Sequence, residues 1–366
     1  MNHSVDNIGI SKLRLLLFNL ATDETDPVLA FTCDWIRRLA EHCDSIDVLT
    51  MQRGDYQLPD NVRVFSAGRE RGWSKPRRAV NFYVQLLRLL SERRYDACFA
   101  HMIPLFAGLG GPLLRARGIP ITLWYTHRQR SWQLWLGQAM SQRIVSADES
   151  SYPYRSDRLR VLGHGIDADY YSPRSDSAPE GDGTLVVQVA RLSAIKHQAT
   201  TIQAASELPV RLALIGGVQP GFPDSYRAGL SSLIDDLGLS TRCQLVGDQS
   251  RAEVLAWYRR AAIAVNMSPP GLFDKAVLES MACGLPTIVA NPAFAPLLGE
   301  HSDLLLTDSP ADVVGLRERI ARISRLSSQE RAAIGTELRQ NVLRQHSLPR
   351  LIERLMSVLQ TGELPA

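Results

Sequence analysis

Between Pro269 and Val289 the chain reads PPGLFDKAVLESMACGLPTIV, which joins a glycine turn, a short helix and one carboxylate. A helix start offers unbonded backbone N–H groups and partial positive charge, and both suit a phosphate. Asp274, Lys275 and Ala276 stand at that start, with Glu279 one turn further in. A carboxylate at that depth can accept hydrogen bonds from sugar hydroxyls, as an acidic residue does with ribose in dinucleotide-binding folds. Holding a nucleotide-sugar requires this combination. The plainer alternative is a buried helix face of Ala276, Val277, Met281 and Ala282, with Glu279 solvated. A second constellation lies upstream, where Arg191 and Lys196 stand five residues apart after the apolar run Thr184–Val189. Two cations in a loop after a strand can clamp a diphosphate and stabilise its charge as a sugar leaves. Two surface cations at a helix start would give the same pattern.

Other candidates sit at the ends of expected strands. Gly216 and Gly217 close Arg211–Ile215, and Gly247 closes Cys243–Val246; glycines there let backbone approach a ligand. His101 follows a strand ending at Ala100, and His127 follows Leu123-Trp124-Tyr125-Thr126. Each is either a cleft residue or a satisfied polar residue at a strand tip. The loop Asn19–Pro27 carries Asp23, Glu24 and Asp26, which are acceptor contacts or a solvated acidic turn.

These residues need a scaffold, and the chain supplies an alternation of apolar runs and helical patterns from end to end. That pattern predicts α/β domains with parallel sheets flanked by helices. A first series takes strands at 13–20, 46–50, 96–100, 119–124 and 143–146, with helices at 29–42 and 76–90. A polar stretch, Ser175–Gly183, marks a boundary. The second series has strands at 184–189, 211–215, 243–246, 263–267 and 287–289, with helices between and after them. The expected division is 1–165, 166–342, and a closing helical segment 343–366 that packs back on the first domain. Ligands of such sheets sit beyond the carboxyl ends of the strands.

With 366 residues, 45% hydrophobic and 22% charged, the chain has the composition of a soluble globular protein of two domains. Five scattered cysteines without a C-x-x-C pair argue against a disulfide framework or zinc site and favour a reducing compartment. The first residues lack a basic-then-apolar signal pattern. Residues 97–114 carry no charge but contain two prolines and three glycines, so a strand, a turn and a helix start are expected rather than a membrane span. Net charge is only +3. Its basic excess gathers between Arg63 and Arg94, where a basic amphipathic helix either meets an anionic membrane or presents a solvated face. No nucleic-acid motif accompanies it.

The segment LESMACGLP resembles the donor site of the family 4 retaining glycosyltransferases, and V-A-R-L-x-x-x-K resembles that family's donor-phosphate motif. The resemblance covers most of the chain, most closely 184–290. It implies the GT-B architecture: two Rossmann-like parallel-sheet domains facing across a cleft. It places Arg191 and Lys196 on the donor diphosphate and Glu279 as the second of two acids. Gly216 and Gly217 fall at the family's glycine turn, Gly247 at its base pocket, and His127 where a histidine touches the transferred sugar. The turn Gly163–Asp167 resembles the one that opens the second domain, with His164 replacing the usual asparagine.

One departure stands out: the first acid of the donor site is Gly271 here. Asp274 or backbone amides would then take over, or the donor differs, or transfer is lost. The resemblance implies retaining, metal-independent transfer from a nucleotide diphosphate sugar to a glycan or lipid-linked acceptor, with no cofactor. No Asp-x-Asp metal motif stands at a plausible position. Arg191, Lys196 and the amides near Lys275 would stabilise the leaving phosphate. Cell-envelope or exopolysaccharide synthesis, in the cytoplasm or at the inner face of its membrane, is the expected setting. The rival readings are a sugar-nucleotide epimerase of the same fold and a non-catalytic nucleotide-sugar-binding protein.

Overall fold

The computed structural model describes residues 12–26, 29–174, 184–218 and 224–365. The boundary stretch Ser175–Gly183 and Pro27 of the acidic loop lie outside them. The chain divides into two units, Met1–Leu162 with Ile352–Ala366, and Gly163–Leu351.

The first unit holds a parallel sheet of β1 (Leu13–Thr22), β2 (Cys43–Arg53), β3 (Val62–Ser66), β4 (Ala97–His101), β5 (Ile121–Trp124), β6 (Arg143–Ser146) and β7 (Leu159–Val161), ordered β3-β2-β1-β4-β5-β6-β7. Its central strand, LRLLLFNLAT, is apolar on both faces because helices cover both. These helices are α1 (Phe31–His42), α2 (Lys75–Glu92), α3 (Pro104–Ala116) and α4 (Trp132–Met140). The uncharged run 97–114 is β4 followed by most of α3. Its glycines serve packing rather than a turn: a Cβ on Gly111 would lie 2.5 Å from Met140 Cβ of α4. No helix among the described residues is long and apolar enough to cross a membrane.

The second unit is built on β8 (Thr184–Val189), β9 (Val210–Ile215), β10 (Cys243–Gly247), β11 (Ile263–Asn266) and β12 (Thr287–Val289), parallel in the order β10-β9-β8-β11-β12. Between and after them run α5 (Gln198–Ala205), α6 (Ser225–Asp236), α7 (Arg251–Arg260), α8 (Lys275–Ala282), α9 (Ala295–Leu298), α10 (Ser302–Leu305), α11 (Val313–Arg325) and α12 (Ser328–His346). Capping boxes at Ser250 with Glu253 and at Ser327 with Glu330 start α7 and α12 by satisfying their first N–H groups. The last helix, α13 (Leu348–Thr361), begins in this unit and ends in the first. Arg143 binds the carbonyls of Val358 and Leu359 at 2.6 and 2.7 Å, which ties α13 to β6. All five cysteines are buried and free.

One packing contact fixes α8 directly. Gly335 of α12 lies against the turn after α8, and a Cβ there would fall 1.8 Å from the carbonyl oxygen of Gly284. Glycine-to-alanine in a helix ordinarily gains about 1 kcal/mol. Here the clash with fixed backbone reverses the sign, so Gly335→Ala lowers stability by about 2 kcal/mol. Urea midpoints of the two proteins measure this.

Candidate functional site

In the second unit Lys196 ends a 3-10 turn, Ala194–Lys196, directly before His197, a non-glycine residue in the left-handed region at φ 51°. Gln188 of β8 donates to the Lys196 carbonyl at 2.7 Å and so anchors the turn to the sheet. The ammonium is thereby carried inward. Lys196 Nζ lies 2.8 and 2.7 Å from the two oxygens of Asp274 and 3.1 Å from Ser268 Oγ. Asp274 also accepts from Ser268 Oγ at 2.5 Å and from Asn266 Nδ2 at 3.1 Å. Side-chain exposure is 11% for Lys196 and 21% for Asp274, so the pair is largely shielded from water. Asp274 is the N-cap residue of α8 but forms no side-chain cap bond, its carboxylate being turned to the lysine.

Arg191 is exposed, two residues past β8, and its carbonyl accepts from Gln198 Nε2 at 2.8 Å. The loop that carries it is laced to the end of β9: Ala190 N bonds Ile215 O, and Leu192 N bonds Gly217 O. Only glycine fits at 216, where φ is +134° and a Cβ would meet the Ala190 carbonyl oxygen at 2.2 Å. Gly217 donates to Asp248 Oδ1 at 2.8 Å, and Gly216 donates to the Gly247 carbonyl at 2.9 Å. Gly216, Gly217 and Gly247 thus share one knot at the ends of β9 and β10.

Lys275 and Ala276 form the first turn of α8, and the Ala276 carbonyl accepts from the buried Tyr258 hydroxyl at 3.1 Å. Glu279 is one turn deeper. Burial pushes its carboxyl up, against the pull of Lys275, Arg251 and a hydrogen bond from Tyr171. Gly271 sits buried at φ +90°, a backbone that an L side chain adopts only with strain. A glycine is the residue this local backbone demands.

The loop bearing Asp274 is held by stacked rings. Phe273 lies parallel to Phe294 at 4.2 Å and to His164 at 5.8 Å. His164 donates from Nε2 to the Phe273 carbonyl at 2.8 Å, and its Nδ1 has no hydrogen-bond partner among the described residues. The turn Gly163–Asp167 therefore positions the site as well as opening the unit.

The first unit presents its candidates differently. His101, the last residue of β4, is 3% exposed, with its ring 4.9 Å from Trp35 and Nδ1 3.3 Å from Asn19 Oδ1. His127 is exposed in the loop after β5, 6.1 Å from the Tyr125 ring. Asp23 accepts from Thr25 N and Oγ1 at 2.9 and 2.7 Å, bonds that hold its carboxyl below the usual range. Asp26 accepts from Leu29 N at 2.8 Å, and Glu24 pairs with Arg37. Asp23 and Asp26 are thus held by nearby backbone N–H groups, and Glu24 by Arg37 of α1.

Five neighbours escaped the sequence reading: Gln188, Asn266, Ser268, Asp248 and Arg251. A signal existed for three. Gln188 interrupts the apolar run LVVQV, and Asn266 and Ser268 are polar residues at the end of a buried strand. Arg251, which pairs with Asp167 at 3.5 Å and lies over the Tyr170 ring at 4.1 Å, looked like an ordinary helix residue.

Comparison with known proteins bears on the family match and the fold. Residues 173–340 match the family model described as glycosyl transferases group 1. The D-inositol 3-phosphate glycosyltransferase of Mycolicibacterium smegmatis is 30% identical over 163 residues, 43% of this chain and 37% of that protein's length. The chain thus spans little more than a third of that curated relative. Two solved structures share the fold over 95% of the chain at 17% identity. Anabaena HepE, in complex with UDP and glucose, gives a TM-score of 0.76 over all of its chain. Sucrose-phosphate synthase from Thermosynechococcus elongatus gives 0.74 over 98% of its own. The fold is GT-B.

Burial, with help from the Lys275 charge, pushes His164 down to about 3. Unfolded, a histidine titrates near 6.5, so between the two values the unfolded chain binds the extra proton. The stability contributed by neutral His164 is complete above about pH 6.5 and falls as pH drops toward 3. The expected loss is about 3 kcal/mol by pH 4. His164→Asn removes that part of the slope, and denaturant titrations of both proteins across this range check it.

Proposed function

We propose, from the match of residues 173–340 to glycosyl transferases group 1, that the chain moves a sugar from a nucleotide diphosphate sugar to an acceptor. The observation that carries this reading is the cationic turn Arg191–Lys196 meeting the start of α8 beside Glu279. Arg191 and Lys196 take the diphosphate, with the amides at Lys275 and Ala276 adding the positive end of the helix. Gly216, Gly217 and Gly247 let the nucleotide approach backbone. Glu279 accepts from sugar hydroxyls. Transfer proceeds with retention and without metal, on a glycan or lipid-linked acceptor, in cell-envelope or exopolysaccharide synthesis. The basic stretch 63–94 would bring the protein to the inner face of the cytoplasmic membrane. Binding of UDP by HepE supports a nucleotide-sugar as the donor class.

The resting pair adds a condition. The ammonium that a diphosphate needs is already neutralised by Asp274, so donor and carboxylate compete for one cation. Donor entry therefore displaces Asp274 from Lys196 and frees its oxygens for the sugar, close in sequence to the acid that Gly271 replaces.

Metal-free thermal melts with UDP-, GDP- and ADP-sugars test the donor site. At about 100 times its dissociation constant a ligand stabilises by about 2.7 kcal/mol. One base is expected to shift the melt, and Arg191→Ala to abolish the shift. No shift with any base would leave the donor site non-functional. A shift without transfer to any acceptor would favour the epimerase or the non-catalytic binder, which turnover without an acceptor separates. The competition has its own test by calorimetry. Asp274→Asn binds the bare nucleoside diphosphate about tenfold more tightly, equivalent to about 1.4 kcal/mol.

A further inference from the structure

In the first unit one face of the sheet is covered by α2, α3 and α4 together. Phe82, Leu86 and Leu89 of α2, Phe106 and Ala107 of α3, and Leu134 of α4 share a single buried cluster with Leu16, Phe18, Cys98 and Leu123 of the strands. Three helices laid on one face turn their opposite sides outward together. That outer side is unusual in two independent ways.

The first is apolar exposure. Ten large hydrophobic residues are exposed among the described residues, and five belong to this layer. Val80, Val84 and Leu87 recur at helical spacing along α2, at 65%, 55% and 48% exposure. Trp132 and Trp135 lie one turn apart on α4 at 64% and 62%. Between them α3 offers exposed Pro112 and half-buried Leu105. Scattered single exposures are ordinary, whereas a run across adjacent helices marks an interaction surface.

The second is charge. Across α2, α3 and residues 127–140 there are seven cations, Lys75, Arg77, Arg78, Arg88, Arg115, Arg128 and Arg130, and a single carboxylate, Glu92. Glu92 is itself held by Arg88 at 2.7 Å and Arg63 at 3.1 Å. Arg115 is spent on the carbonyls of Ala139 and Met140, which binds α3 to α4. Arg128 and Arg130 are exposed directly before the two tryptophans, Arg130 also donating to the Pro153 carbonyl at 3.3 Å and lying over the Tyr154 ring at 5.3 Å. Indole rings prefer the level of lipid headgroups, and flanking arginines suit anionic ones.

We infer that the outer face of α2, α3 and α4 is a docking surface for an anionic lipid bilayer, with Trp132 and Trp135 as its interfacial anchors and Arg128 and Arg130 as headgroup contacts. This deepens the membrane contact of the proposed function and moves its centre from 63–94 toward α4. A partner protein would not explain why three consecutive helices carry a single acid, the arginine-paired Glu92, whereas a uniformly negative surface does.

Vesicle sedimentation of the full chain tests this without reference to sugar transfer, so its failure is distinct from a failure of the donor melts. Binding is expected to phosphatidylcholine vesicles containing phosphatidylglycerol and not to phosphatidylcholine alone, with a blue shift of tryptophan emission. Trp132→Ser with Trp135→Ser is expected to lower partitioning at least about tenfold. Arg128→Gln with Arg130→Gln is expected to lower it about fivefold per charge and to flatten its salt dependence. The four side chains are not buried, so unchanged melting temperatures would show that the variants remain folded. The inference is overturned if wild-type protein ignores anionic vesicles, or if the tryptophan variant binds them as well as wild type. It is also overturned if the protein is a dimer that the tryptophan variant splits, since the face would then belong to a second copy.

Discussion

A lysine ammonium held almost entirely away from water needs a carboxylate beside it, and the second unit is arranged around that demand. Lys196 and Asp274 are 78 positions apart, one on the turn after β8 and the other at the start of α8. Removing either partner would leave the other charge buried and uncompensated, typically a cost of about 3–5 kcal/mol. The surrounding hydrogen bonds follow from this. Ser268 and Asn266 at the end of β11 satisfy the remaining lone pairs of Asp274, and Gln188 fixes the turn that delivers Lys196. The cation thus sits in an anion-binding geometry that an internal anion, Asp274, occupies.

The same pair gives meaning to Gly271. The backbone there is left-handed, so the chain can turn sharply after Pro269-Pro270 and present Phe273 and Asp274 in the next steps. Phe273 goes down into the stack with Phe294 and His164, and Asp274 goes up to Lys196. The positive φ at 271 and the carboxylate at 274 are therefore two ends of one local turn. His164 is part of it, because a neutral imidazole donates to the Phe273 carbonyl while its ring covers the Phe273 face.

Much of this was legible in the sequence, and the exceptions have physical causes. Strands buried on both faces, such as Thr184–Val189 and Thr287–Val289, announce themselves by unbroken apolar runs, and their bounds agree with the reading. Val62–Ser66 did not, being a half-buried edge strand inside a basic stretch. Leu159–Val161 is only three residues long. The helix Trp132–Met140 is hidden because its exposed tryptophans erase the amphipathic period. In Pro104–Ala116 the glycines that read as a turn permit close contact with that helix instead. At the site, Arg191, Lys196 and Glu279 stood out as candidates by their types and their places after a strand or at a helix start. The meeting of Lys196 with Asp274 was not, since no local pattern encodes a contact between separate crossovers.

Position relative to a strand's last residue separates candidates that composition treats alike. His101 is the final residue of β4, in register with Trp124, so its side chain belongs to a sheet face and is packed there. His127 stands three residues beyond β5 and is exposed. The rule extends to the second unit. Arg191 and Ser268 lie two residues past β8 and β11, Gly216 one past β9, and Asp248 one past β10. Pleat alternation assigns every in-strand side chain to one of two covered faces, so in-strand polar groups such as Gln188 and Asn266 bond neighbouring protein groups. Freedom to address a ligand begins one residue after the ladder stops, where backbone N–H and C=O groups also come free. Parallel strands stop together at one edge, so residues distant in sequence reach the same place without any contact being written locally.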